Sequence, residues 1–70
     1  MNVREKFNIV DINRDFILTQ IKEDNQNAKT MANCYDLCIS KPDPYAIALF
    51  ESSFDDWFNK NKGELKCVKK

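Results

Sequence analysis

Seventy residues suffice for one domain and no second, and eleven basic side chains against eleven acidic ones leave no net charge. The chain has no histidine and one glycine. That excludes an ordinary general base, Cys–His and Ser–His nucleophile pairs, and phosphate-cradling loops of the Walker or dinucleotide type. Surface scaling gives roughly 12,000 Å² exposed when unfolded and about 4,500 Å² when folded. The transfer gain from that burial nearly cancels the entropy of ordering the chain, so the domain is marginal alone and gains from a partner or from self-association.

The N-terminal Met1-Asn2-Val3-Arg4-Glu5 has no apolar run, and no segment approaches the ~20 apolar residues that cross a bilayer. With three cysteines, an odd number, the reading is a cytoplasmic chain with free thiols. Asn, Lys and Ile make 23 of the 70 residues, the bias of AT-rich coding sequence, which points to a phage, a mobile element or a low-GC bacterium as the source.

From Lys6 to Glu23 the β-branched residues Ile9, Val10, Ile12, Ile17, Thr19 and Ile21 suit a pleated surface better than a helix. Asn13-Arg14-Asp15 separates the two apolar runs and reads as a hairpin turn. Asp11, Asn13 and Asp15 also stand at the first, third and fifth positions of an EF-hand-like loop, with Leu18 at its apolar eighth. Its sixth position is Phe16 instead of Gly, and its twelfth is Lys22 instead of the bidentate Glu, so a polar turn is the preferred reading. Asp24-Asn25-Gln26-Asn27 makes a second polar break.

Lys29 to Ser40 supports two readings. Met31, Tyr35, Leu37 and Ile39 alternate with smaller side chains as in a strand, whereas Met31, Cys34, Tyr35 and Cys38 form a helical stripe. The strand is preferred because the preceding hairpin has an edge to cover and the run stops at Lys41-Pro42. Cys34 and Cys38 then read as small buried apolar residues, since no histidine completes a zinc site with them. No metal and no cofactor is expected.

Asp43 to Gly63 carries the strongest local signal. Asp43 suits the N-cap, Pro44 the first helical position, Lys60 and Lys62 the negative end of the dipole, and Gly63 a left-handed C-terminal closure. Ile47, Phe50, Phe54, Trp57 and Phe58 fall in one arc, which predicts a helix over 44–62 with that face inward. The remaining residues, 64–70, read as a short strand or a loose basic tail. The expected fold is thus α+β, a small antiparallel β-meander over about 6–40 with the 44–62 helix packed on it. The alternative is an all-α three-helix bundle with 3–22 and 29–40 helical.

Residues 30–58 hold five acidic side chains against Lys41, and 59–70 hold five lysines against Glu64, so the chain is dipolar. On the predicted helix Tyr45, Leu49, Ser52 and Asp56 point away from the core, flanked by Glu51 and Asp55. The functional reading is a small non-catalytic interaction module, an inhibitor or adaptor that binds a larger (host) protein: Tyr45 and Leu49 supply contact area and the carboxylates steer a basic partner patch. The runner-up is a nucleic-acid accessory protein using Lys60, Lys62, Lys66, Lys69 and Lys70. Lysines without arginine or exposed aromatics make a weak footprint for that role. Homodimerisation is a third reading.

Overall fold

In a computed structural model, which describes residues 1–66, the chain folds into four helices and a closing turn. α1 spans Val3–Ile12, α2 Arg14–Lys22, α3 Gln26–Ser40 and α4 Pro44–Asn61, followed by a 3-10 turn at Lys62–Glu64. Of the described residues 83% are helical, and none forms a strand. The β-meander expected over 6–40, and with it the α+β class, is therefore wrong. The molecule is an all-helical small bundle, with four helices where the alternative reading placed three. α3 packs along α4, α4 against α1 and α2 against α3, within a body of 33 × 29 × 17 Å.

The reason for the misreading lies in three polar residues that occupy core positions. Along α1 and α2 the buried residues are Lys6, Ile9, Val10, Asn13, Ile17 and Gln20, spaced three or four apart as on one helical face. Half of that face is polar. The apolar pattern therefore has gaps, and what remains looks like two β-branched runs. Each polar member is satisfied by a distant partner, as buried polar groups must be. The predicted turn at Asn13 falls at a real break, where α1 passes into α2 with φ −109° and ψ 21°. The hydrogen bonds Asn13 N–H to Ile9 O (3.1 Å) and Ile17 N–H to Asn13 O (3.0 Å) continue across it, so the chain bends without reversing into a hairpin.

Helix starts are marked by local chemistry. Asn2 and Glu5 exchange side-chain-to-backbone bonds of 2.9 and 3.0 Å, a capping box at the head of α1. Asp24 takes a left-handed conformation (φ 63°), which the short acid side chain tolerates, and Asn25 then caps α3 by accepting from Ala28 N–H at 3.0 Å. Asp43 caps α4 by accepting from Ala46 N–H at 2.8 Å, with Pro44 at the first turn. The opposite end departs from expectation. Gly63 has no positive φ and sits inside the 3-10 turn, so the helix tightens at its end where a left-handed cap was predicted.

α4 supplies the largest part of the core. Phe50, Phe54 and Trp57 are completely or almost completely buried, and so is the small Ala46 on the same face. Phe50 stacks on Phe7 of α1 (4.8 Å between ring centres) and Phe54 on Phe58 (5.4 Å), while Phe54 and Trp57 lie tilted at 5.8 Å. On α3 the helical stripe is the one that forms: Met31 and Cys38 are buried, and Cys34 and Tyr35 half-buried against the core.

Two polar connections tie the ends of the chain to this core. The indole Nε1–H of Trp57 donates to Gln20 Oε1 (2.8 Å), Gln20 Nε2 donates to Asn61 Oδ1 (3.0 Å), and Asn61 Nδ2 donates to the Trp57 carbonyl (2.7 Å). Asn13 clasps the backbone of Lys66, donating from Nδ2 to its carbonyl at 2.7 Å and accepting from its N–H at 2.9 Å. Leu65 packs on the core beside this clasp. The expected loose tail is thus anchored as far as Lys66. Residues 67–70, with Cys67, Lys69 and Lys70, lie outside the described residues.

Candidate functional site: the outer face of the C-terminal helix

The helix that buries Phe50, Phe54 and Trp57 presents a different set of side chains outward. Tyr45 is 73% exposed and Leu49 37% exposed, and Ser52 and Asp56 are exposed on the same strip. Spacings of four, three and four residues hold these side chains on one face over about three turns. The capped start of α4 places Tyr45 in its first turn, rigidly joined to the core-bearing part of the helix.

Glu51 and Asp55 are placed elsewhere. Both turn toward α1, where the nearly buried Lys6 meets Glu51 Oε2 at 3.4 Å and Asp55 Oδ1 at 3.1 Å. The ammonium also lies 5.8 Å from the centre of the Phe54 ring. The single Lys6 ammonium offsets one of these two negative charges, and Asp56 is the acidic group of the outer strip itself. Of the basic residues, Lys60 stands in the last turn of α4, Lys62 in the 3-10 turn and Lys66 at the Asn13 clasp, all exposed.

A member of the patch that the strand reading of 29–40 concealed is Leu37, 43% exposed on α3. Cys34 Sγ lies 3.8 Å from Ser53 Oγ across the α3–α4 seam. Leu37 is one turn on from Cys34 and Leu49 one turn back from Ser53. In this antiparallel pair both steps lead toward the same end, so Leu37 and Leu49 flank the seam together, with Tyr45 a further turn along. The helical stripe Met31-Cys34-Cys38 was the signal that could have found Leu37, because it leaves that residue outside the core.

The EF-hand-like run is closed by internal contacts. Asp11 accepts a hydrogen bond from the Tyr35 hydroxyl, and Asn13 bonds inward to the Ile9 carbonyl at 2.8 Å, so the EF-hand-like run does not converge on one point. Among the described residues no group of three or more acidic or cysteine side chains stands close enough to hold a metal ion. No helix among them is long and apolar enough to cross a membrane.

The Tyr35 phenol is pushed up to about 12, first by burial, then by its hydrogen bond to Asp11 and that group's negative charge. Burial, and then neighbouring Cys34 and Asp43, pushes the Cys38 thiol up as well. A raised acid favours the fold while it is neutral. Its contribution is complete below the unfolded value, near 9 for the thiol and 10 for the phenol, and is lost as pH rises through the folded one. The melting temperature is therefore expected to fall above pH 9, most steeply between 10 and 12. In a Tyr45→Phe background, where tyrosinate absorbance reports Tyr35 alone, Asp11→Asn should move the titration midpoint downward. An unmoved midpoint would remove Asp11 as its partner.

No protein-family model, curated protein or solved structure matches the chain, so its class rests on the fold and surface described above: a small helical bundle with an exposed tyrosine–leucine patch.

Proposed function

We propose that the chain is a non-catalytic protein-binding module, an inhibitor or adaptor that docks on a larger protein through the outer face of α4. The observation that carries this reading is the 73% exposure of Tyr45, in line with Leu49, on a helix whose opposite face is fully committed to the core. Tyrosine is a favoured anchor at protein interfaces, because one end of the ring is apolar and the phenol tolerates a wet rim. Leu37 widens the strip across the α3–α4 seam, and Asp56 adds a carboxylate that fits a basic group on the partner. The partner surface is accordingly an apolar recess with a cationic side chain at one edge. Glu51 and Asp55 share one ammonium, Lys6, and keep a net negative charge at the side of the helix that faces α1.

The test uses two variants and the partner captured by the tagged chain from its native cell. Tyr45→Ser with Leu49→Ser should weaken binding of that purified partner by at least about tenfold per anchor while the melting temperature stays within a few degrees. Serine at Lys60, Lys62 and Lys66 should leave it bound, because the Lys66 clasp uses backbone atoms only. The reverse pattern, with binding of nucleic acid that falls steeply with salt, would replace this reading by the lysine-based one. A melting temperature that rises with protein concentration would point to self-association through the patch.

A further inference from the structure

We infer that the groove between α2 and α3 is an anchor pocket for one leucine- or phenylalanine-sized side chain of a partner polypeptide that carries an acidic and a basic residue beside that anchor. The groove has a volume of about 170 Å³, with Ile17 at its floor, Leu18, Ile21 and Ala32 on its walls, and Arg14 and Asp36 at its rim. Cofactor and metabolite sites occupy roughly 300–1,000 Å³, whereas a space near 150 Å³ holds a single benzene-sized group. The volume therefore selects one side chain over a whole small molecule.

Leu18 is 49% exposed and Ile21 and Ala32 half-buried, so an apolar strip of the lining faces outward beside the polar Asn33 and Tyr35. The rim supplies direction. Arg14 comes from α2 and Asp36 from α3, and among the described residues neither forms an ion pair with the other or with any third group. A carboxylate on one side of the incoming anchor and an ammonium on the other would answer both charges. This site is separate from the α4 face and does not rest on it. Ala32 and Leu37 are five positions apart on α3, roughly 140° around the helix, so the groove and the tyrosine patch open on different flanks.

The experiment follows backbone amide shifts of the labelled full chain with two blocked tripeptides, Ac-Glu-Leu-Lys-NH2 and Ac-Ser-Leu-Ser-NH2. Both should shift Leu18, Ile21, Ala32 and Asn33 and saturate on the order of millimolar, as one small anchor allows. The charged peptide should bind roughly threefold tighter at low salt, Arg14→Gln should reduce that advantage, and Arg14→Gln with Asp36→Asn should erase it. Leu18→Glu, at a half-exposed position that folding tolerates, should abolish the shifts with far-UV dichroism unchanged. Shifts that survive Leu18→Glu, equal affinity for the two peptides, or shifts centred on Tyr45 and Leu49 would each overturn the proposal. Movement of the same groove amides on concentrating the protein without peptide would make a second copy the occupant and overturn it equally.

Discussion

Replacing Trp57 with alanine is expected to leave most of the chain unfolded at room temperature. The side chain has no exposed surface, and it is the largest in the core. Removing a buried tryptophan or phenylalanine side chain down to alanine costs about 3–5 kcal/mol, from lost transfer energy and the cavity left behind. Here the indole also donates to Gln20 Oε1, so truncation strands a buried amide carbonyl, for about 1–3 kcal/mol more. A domain of this length holds only about 3.5–10 kcal/mol in total. Far-UV dichroism and urea unfolding would measure the loss. Trp57→Phe keeps a six-membered ring in the core but loses the N–H and part of the indole, so it should remain cooperative and lose about 1–3 kcal/mol for the stranded carbonyl plus a smaller cavity cost than alanine. A Trp57→Ala variant that melts within a few degrees of the parent would show that the ring does not hold the bundle together.

The second large effect is asymmetric. Lys6 is 7% exposed, and its ammonium is held by Glu51 and Asp55 above the Phe54 ring. Glu51→Gln with Asp55→Asn leaves that ammonium nearly buried without a counter-charge. Breaking a fully buried pair in this way costs about 3–5 kcal/mol. The acidic side chains are 39% and 60% exposed, so solvent screens part of the loss, and about 1–3 kcal/mol is expected. Lys6→Met has the opposite character. It swaps the ammonium for an apolar group that packs on Phe54 and leaves two carboxylates already in contact with water, so stability should stay within about 1 kcal/mol of the parent. Urea midpoints of the two variants decide the matter. Equal, small losses in both would make this an ordinary surface ion pair.

How much of this was legible in the sequence differs by segment. Asp43-Pro44 and the Phe50-Phe54-Trp57 spacing mark α4 with its correct inward face, because caps and a fully apolar stripe are local signals. The exposure of Tyr45 and Leu49 follows from the same geometry. Lys29 to Ser40 offered a strand and a helix with equal pattern support, and packing of Met31 and Cys38 beside the α4 aromatics chose the helix. Lys6 to Glu23 was misread outright. Its helical face depends on Lys6, Asn13 and Gln20, whose burial is favourable only because Glu51 and Asp55, Lys66 and Trp57 wait at the far end of the chain. The same distance hid the groove, whose rim charges Arg14 and Asp36 belong to different helices.

The sequence by itself determined the last long helix, which of its faces turns inward, and a polar surface with a tyrosine and a leucine left over. Tertiary structure alone decided that the first half is helical, that Glu51 and Asp55 serve Lys6, and that Leu37 joins Leu49 at a seam. The physical reason is range. Capping and periodicity act within a turn or two, whereas a lysine or glutamine becomes a core residue only when a partner some forty residues away removes the penalty of burying it.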